Sequence, residues 1–100
     1  MEVINNIFDE EVINNEGISI VYFWADWCNN CKMFNKIFEN TSKKFDDIKF
    51  CKLNVDNNKN ITKKYAVMSI PTIIVFKNGK EIKRSVGPLN EEQLKKLILI

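Results

Sequence analysis

The chain has 100 residues, 45% of them hydrophobic, which suits one packed domain spanning residues 1–100. The formal net charge of +2 is small, and several lysines fall in scattered pairs typical of solvated helix faces, which argues against a nucleic-acid-binding protein. The sequence has no histidine and only three cysteines, which excludes an imidazole base or metal ligand and argues against a secreted scaffold held by disulfides.

The amino-terminal part of the chain shows no targeting signal. Residues 1–6 contain neither a basic region nor a long apolar run, and no apolar run in the sequence is long enough to cross a bilayer. We therefore expect a monomeric cytoplasmic protein that does not bind membranes. Residues 1–4 predict a short edge strand, and Phe8, Val12 and Ile13 predict a short amphipathic helix that ends at Gly17.

A pair of cysteines follows the first strongly predicted strand. The apolar run 18–25 predicts a buried strand, and the segment from Cys28 onward predicts a long helix. Cys28 then lies at a helix N-terminus, where unpaired backbone N–H groups and the helix dipole favour a thiolate. Cys31 lies one turn further along the same face, close enough to form a disulfide with Cys28. The apolar face of the helix comprises Cys31, Phe34, Ile37, Phe38, Thr41 and Phe45.

The cysteine pair is best interpreted as a redox-active dithiol. A zinc site needs about four ligands, but only Cys51 remains and histidine is absent, so we expect no metal. An inert disulfide is disfavoured because a helix N-terminus makes Cys28 both accessible and acidic. Cys51 belongs to the alternating segment 48–55, which predicts a second central strand, and we expect its side chain to face the core as a small hydrophobe.

The second half of the chain predicts one more helix, a hairpin and a closing helix. Residues 60–65 predict a short helix with Asn58 or Asn60 as its N-cap. The apolar run 72–76 predicts a third strand, and Asn78-Gly79 predicts a type I′ turn into a strand at 81–86. Gly87-Pro88 breaks the chain, and a final helix capped by Asn90 is predicted to run to residue 100.

The predicted order is therefore β-α-β-α-β-α-β-β-α. Such an order is typical of an α/β protein with a central mixed β-sheet flanked by helices on both faces. The early part predicts parallel βαβ pairing, and the Asn-Gly turn predicts an antiparallel hairpin after it.

Five motifs occur together in the sequence: Phe-Trp-Ala-Asp-Trp-Cys-x-x-Cys-Lys at 23–32, Lys-Leu-Asn-Val-Asp at 52–56, Ile-Pro-Thr at 70–72, Phe-Lys-Asn-Gly at 76–79 and Val-Gly at 86–87. With these motifs the sequence resembles the thioredoxin family over nearly its whole length. The resemblance implies the thioredoxin fold and a protein thiol–disulfide oxidoreductase that reduces disulfides in partner proteins.

The two cysteines are predicted to have different roles. Cys28 is the candidate attacking thiolate, which forms a mixed disulfide with a client protein, and Cys31 is the candidate resolving thiol. The resemblance implies no bound cofactor, because the electrons reside in two sulfur atoms. It further implies disulfide-containing client proteins and a separate thioredoxin reductase that restores the dithiol.

An apolar contact patch is predicted around Cys28. Pro71 alone reads as an ordinary proline that opens a strand, whereas the resemblance implies a cis peptide bond that faces the dithiol. A cis Pro71 would present the backbone of Ile70 for strand-like pairing with a client chain. Trp27, Ile70, Pro71 and Gly87 are therefore the candidate residues of this patch.

A role in the core or in the site has to be considered for Phe23, Trp24 and Lys52. The strand positions of Phe23 and Trp24 predict core residues. Lys52 lies in an apolar strand, where a lysine usually points to solvent, but the resemblance implies a buried lysine near the dithiol. Asp56 is the nearest obvious partner for Lys52, and a helix-capping role for Asp56 is equally open.

Three positions depart from the usual pattern of the family. Asn29 and Asn30 replace the usual Gly-Pro between the cysteines, Tyr22 stands where a buried aspartate is common, and Lys36 stands where a helix-kinking proline is common. Because the N–H groups of two flexible asparagines favour the thiolate form, we predict a dithiol somewhat less reducing than a Gly-Pro dithiol. Tyr22 is protonated at neutral pH and does not accept the proton that the resolving thiol must lose.

Two alternative functions remain compatible with the fold. One is a less reducing disulfide exchanger, closer to a glutaredoxin or an isomerase, although the tryptophan-led motif speaks against a glutaredoxin. The other is a non-enzymatic subunit that uses the fold as an interaction platform. The presence of both cysteines favours a reductase over this second alternative.

Overall fold

A computed structural model describes Phe8 and residues 12–99 of the chain; the predicted edge strand at 1–4 lies outside these residues. Within the described part the strands are β1 (Ile18–Trp24), β2 (Lys49–Asn54), β3 (Thr72–Lys77) and β4 (Lys80–Val86). The helices are α1 (Asn29–Ser42), α2 (Lys59–Lys64), α3 (Glu91–Ile98) and a short 3₁₀ helix at Val55–Asn57. Val55 was predicted at the end of a strand, but it begins this 3₁₀ turn instead.

The described strands form one mixed sheet in the order β2-β1-β3-β4. β1 and β2 are parallel and are joined through α1, whereas β1–β3 and β3–β4 are antiparallel. The predicted βαβ unit followed by a hairpin is therefore confirmed. Since β1 and β2 run in the same direction, their carboxyl ends lie at the same edge of the sheet, where α1 begins.

Both faces of the central strands β1 and β3 are buried, which explains why these two strands are almost continuously apolar. Ile20 and Tyr22 face a core that α1 and α3 cover, and Phe34, Phe38 and Leu94 belong to it. The opposite core is formed by buried side chains that include Phe8, Val12, Val21, Phe23 and Cys51. Ile61 and Tyr65, in and after α2, pack against this second core, so the predicted helices on both faces are confirmed.

The predicted amino-terminal helix lies only partly within the described residues. Phe8, Val12 and Ile13 have helical conformation, and residues 9–11 between them lie outside the described residues. Phe8 and Val12 are buried, as the predicted amphipathic helix requires.

The predicted turns and caps are observed with one exception. Asn78 and Gly79 have φ angles of 51° and 81°, the left-handed values that a type I′ turn requires. Asn90 begins α3 with a capping box, in which its side chain accepts from the Gln93 N–H group at 2.7 Å and its own N–H group donates to the Gln93 side chain. Asn58 occupies the N-cap position of α2, but its side chain makes no capping bond and donates to the Asn54 carbonyl instead.

Candidate active site

The dithiol lies at the edge of the sheet where β1 ends and α1 begins. Cys28 is the N-cap residue of α1, with an extended backbone, and its sulfur accepts a hydrogen bond from the Cys31 N–H group at 3.2 Å. The two cysteines are joined in a disulfide, with their Cα atoms 5.3 Å apart. A sulfur in the N-cap position receives a backbone N–H group that otherwise has no partner, and the positive end of the helix dipole favours negative charge there.

The two sulfur-bearing residues differ in exposure. Cys28 retains 6% of its accessible surface and Cys31 only 1%. The accessibility predicted for Cys28 is thus small in the disulfide form, because its side chain belongs to the core under α1. Asn29 and Asn30 are exposed, and the described hydrogen bond to the Cys28 sulfur comes from Cys31 rather than from either asparagine. Cys28 is nevertheless the more exposed of the two cysteines.

Trp27 projects from the surface directly before the dithiol. Its side chain is 67% exposed, and its indole N–H group donates to the Asp56 carboxylate at 2.9 Å. Asp56 was predicted as a partner of Lys52 or as a helix cap, but its carboxylate binds Trp27 instead. The parallel pairing of β1 and β2 could have indicated this contact. Trp24 lies opposite Asn54 at the ends of the two strands, and Trp27 and Asp56 follow these residues within a few positions.

Lys52 is largely buried on the α1 side of the sheet, where its side chain is 19% exposed. Lys52 is thus partly rather than fully buried, and its partner is Glu39 of α1, at 3.5 Å from the ammonium group, instead of Asp56. The ammonium group also lies 4.8 Å from the centre of the Trp24 ring, a cation–π contact. Phe23 is fully buried and Trp24 is half-buried against the core, which confirms both as packing residues.

Tyr22 contacts the dithiol through the backbone. It is fully buried, and its hydroxyl group donates to the Cys31 carbonyl oxygen at 3.1 Å. Burial raises the pKa of the Tyr22 phenol well above its ordinary value, and the Glu39 carboxylate raises it further. The phenol is therefore a hydrogen-bond donor at neutral pH and not a proton acceptor. The sequence shows Tyr22 to be unusual at this position, but no local pattern predicts its contact with Cys31.

The predicted contact patch is partly assembled next to Trp27. Pro71 follows a cis peptide bond, as predicted, and its carbonyl oxygen accepts from the Gly87 N–H group at 2.8 Å. Ile70 and Trp27 line one open cavity of about 420 Å³ together with the exposed Met68. Met68 was not predicted as part of the patch, although it stands two residues before Ile70. Trp27 and Ile70 thus share one apolar depression, and Pro71 and Gly87 are hydrogen-bonded neighbours.

Neither a metal cluster nor a membrane span is seen in the described part of the chain. Within Phe8 and residues 12–99, no three histidine, cysteine or acidic side chains lie together in a way that holds a metal ion. Among the helices of the same residues, none has the length and the apolar composition needed to cross a bilayer.

Comparison with known proteins places the fold and the dithiol in one family. The family model described as thioredoxin matches residues 1–99. A thioredoxin of Rickettsia bellii is 41% identical over 86 residues, which cover 85% of this chain and 82% of the relative. A thioredoxin of Buchnera aphidicola is 34% identical over 99 residues, covering 98% and 92%, and one of Mycoplasma genitalium is 42% identical over 78 residues, covering 78% and 76%.

These similarities span the fold as well as the strand-to-helix junction that carries the two cysteines. The matched residues fold into a mixed sheet with helices on both faces and carry a Cys-x-x-Cys disulfide at the N-terminus of α1. The chain belongs to the thioredoxin family and is a protein-disulfide reductase.

Proposed function

We propose that this protein reduces client disulfides with Cys28 as the attacking thiolate and Cys31 as the resolving thiol. The observation that carries the assignment is the N-cap position of Cys28, whose sulfur accepts the Cys31 N–H hydrogen bond. The smaller exposure of Cys31 supports the same order, because an incoming client reaches the more accessible sulfur first.

The reaction consists of two thiol–disulfide exchanges. The Cys28 thiolate attacks one sulfur of the client disulfide, which forms a mixed disulfide and releases the other client sulfur as a thiolate. Cys31 then loses its proton to water, and its thiolate attacks the Cys28 sulfur. The second client sulfur leaves, and the protein retains the Cys28–Cys31 disulfide. Two electrons pass to the client, which takes up two protons from solvent.

Client recognition is assigned to the patch of Trp27, Ile70, Pro71 and Gly87. Trp27 and Ile70 line an apolar depression that suits a side chain next to the client cysteine. The chain around Ile70 lies just before β3 and provides backbone groups for pairing with an extended client segment. The clients are therefore proteins with disulfides in exposed, extended segments.

The cycle needs no bound cofactor, because the two sulfur atoms hold both electrons. A separate reductase of the kind that serves thioredoxins would restore the dithiol after each turnover. The cytoplasm is the compartment assigned to this cycle, since its reducing conditions keep such a dithiol supplied with electrons.

Cysteine variants test the assigned roles. In an insulin-reduction assay with dithiothreitol, and then with a thioredoxin reductase and NADPH, Cys28→Ser should abolish turnover. With the reductase and NADPH, Cys31→Ser should also fail to turn over. When the reduced variant meets the client without dithiothreitol, which would itself cleave the product, it should accumulate a mixed disulfide, because attack proceeds and resolution does not. Non-reducing electrophoresis and mass spectrometry detect this species.

Cys51→Ser is the matched control, since Cys51 is fully buried on the opposite face of the sheet. It should keep reductase activity wherever the variant is folded. If Cys28→Ser were to trap clients and Cys31→Ser were not, the two roles would be reversed.

A further inference from the structure

The hydroxyl group of Tyr22 is a buried polar group that the two exchange steps do not use. It lies 3.1 Å from the carbonyl oxygen of Cys31, in the first turn of α1, and donates a hydrogen bond to it. A carbonyl oxygen in the first turn of a helix already accepts a hydrogen bond from within the helix. The phenol adds a second hydrogen bond to this oxygen and thereby joins β1 to the first turn of α1.

The ring that carries the hydroxyl group is held firmly. Tyr22 lies in β1, between β2 and β3 in the middle of the sheet. Its ring packs edge-on against Phe34 at 5.0 Å and tilted against Phe38 at 5.1 Å, so both contacts come from α1 itself. Packed rings in a dense core keep one rotamer, and the hydroxyl is therefore a fixed point against which α1 is placed.

We propose that Tyr22 is a positioning residue that holds the α1 turn of Cys31 within reach of the Cys28 sulfur during resolution of the mixed disulfide. The proposal rests on the proposed function, in which Cys31 makes the second attack. An intramolecular attack is efficient only when the reacting sulfurs are kept close and aligned. The hydrogen bond to the Cys31 carbonyl is made when this turn has the position seen in the disulfide. Among the conformations of the mixed disulfide it therefore favours those that bring the Cys31 sulfur close to Cys28.

Two charged side chains are close enough to influence this group. Glu39 of α1 acts on the phenol electrostatically, and Lys52 of β2 is paired with Tyr22 in register and bound to Glu39. A carboxylate favours the protonated phenol, so Tyr22 remains a donor throughout the neutral range. The restraint on Cys31 consequently does not depend on pH near neutrality.

The effective concentration of Cys31 towards a Cys28 mixed disulfide measures this positioning. Glutathione is the probe: Cys28–S–S–glutathione and the Cys31 thiol exchange to give the Cys28–Cys31 disulfide and free glutathione, with no change in the number of electrons or protons. The two protein forms are quenched with acid at a series of glutathione concentrations and quantified by mass spectrometry. Equal destabilisation of both forms leaves their ratio unchanged, so a purely structural role of Tyr22 would not move it.

We expect Tyr22→Phe to lower the effective concentration by about 2- to 10-fold, the range that corresponds to one neutral hydrogen bond. The phenylalanine ring retains the contacts with Phe34 and Phe38, and circular dichroism checks that the variant is folded. Tyr65→Phe is the matched control, because Tyr65 packs on the other face of the sheet, and it should leave the value unchanged.

A change of less than about twofold in folded Tyr22→Phe, a hydrogen bond's smallest effect, would overturn the proposal. An equal fall in Tyr65→Phe would overturn it as well, since the effect would then not come from the contact with Cys31. If the wild-type protein itself formed no mixed disulfide at Cys28, the proposed function would fail, which is a different result from either of these.

Discussion

The exposed indole of Trp27 is unusual for so large an apolar side chain, and one hydrogen bond determines where it lies. Large exposed apolar groups often mark contact surfaces, and Trp27 stands next to the sulfur that is assigned the first attack. Its bond to Asp56 joins the segment after β1 to the 3₁₀ turn after β2. Asp56 thereby orients the ring over the depression that it shares with Ile70.

The bond between Trp27 and Asp56 predicts a specific kinetic effect. Asp56→Ala should raise KM for a protein client by about 2- to 5-fold, because the freed indole must be ordered again on binding. The rate at saturating client should stay close to that of wild type, since neither sulfur is touched. Steady-state insulin reduction at varied insulin concentration measures both constants.

Asp26→Ala provides the control for lost charge, because Asp26 is also exposed and directly precedes Trp27. Its KM should remain at the wild-type value. A KM that rises equally in both variants would mean that net charge, rather than the orientation of Trp27, governs client binding.

Lys52 shows how a lysine is accommodated in an apolar strand. Its aliphatic stem is buried, and its ammonium group is stabilised by the Glu39 carboxylate and the face of the Trp24 ring. Glu39 is itself well exposed, so the ion pair keeps access to water and the burial of charge is incomplete.

At the scale of single elements, the N-terminus of α1 is where local structure and chemistry coincide. Serine, threonine, aspartate and asparagine are the usual N-cap residues, because their oxygen accepts a backbone N–H bond. Cys28 performs this role with sulfur. The same interaction that begins the helix therefore also favours the charged form of the thiol once the disulfide is reduced.

The β3–β4 hairpin depends on Gly79 for two separate reasons. Gly79 has a φ angle of 81°, and a Cβ atom at this position would overlap the backbone carbonyl of Ile13. Gly79→Ala should lower the free energy of unfolding by more than about 1–2 kcal/mol, the cost of the left-handed conformation alone. Urea unfolding followed by circular dichroism provides the measurement.

Gly17→Ala separates the two reasons, because Gly17 has a similar φ angle of 97° but no atom within 4 Å of its added Cβ. It should show only the conformational cost and therefore be the less destabilised of the two variants. Equal losses in both variants would show that the contact with Ile13 relaxes without cost.

At the scale of the whole molecule, the central sheet ties the site to the rest of the fold. The cysteines and Tyr22 belong to the same core as Leu94 and Ile98 of α3, so the dithiol rests on packed structure rather than on a loop. The other face of the sheet is covered by α2 and by the residues around Phe8 and Val12, and Cys51 is buried there, away from the site.

Stability should decline at alkaline pH through Tyr22. Its pKa is raised in the folded protein, so the unfolded chain releases the phenol proton first, at about pH 10, while the folded protein retains it. This contribution is fully present below about pH 10 and is lost as the pH rises towards the folded pKa, with a slope of at most about 1.4 kcal/mol per pH unit. Tyr22→Phe has no phenol at this position, so its unfolding free energy should fall less steeply above pH 10.

Urea unfolding at a series of pH values compares the two slopes. Tyr65→Phe keeps Tyr22, so its unfolding free energy should still show the part of the alkaline decline that Tyr22 causes. Identical alkaline slopes for wild type and Tyr22→Phe would mean that Tyr22 ionises equally readily in the folded and unfolded states.

Several features of this protein depend on local pattern and could be predicted from the sequence. Apolar runs or alternation predicted β1, β2 and β3, and apolar periodicity predicted the buried face of α1. The Asn78-Gly79 turn predicted the hairpin and with it β4, and the strand-to-helix transition placed Cys28 at a helix N-terminus. Each of these follows from neighbouring residues, whose spacing determines which side of a helix or strand they occupy.

The contacts between polar side chains, in contrast, follow from the tertiary structure. Trp27 and Asp56 are 29 positions apart, and Tyr22 and Cys31 are 9 apart on a strand and a helix. Lys52 could have turned to solvent or to Asp56, and it binds Glu39 because α1 crosses above β2 on the same face. Such contacts depend on strand register, on how the helix packs on the sheet and on side-chain rotamers. These are set jointly by the whole core, since dense packing allows few arrangements, and no local pattern records them.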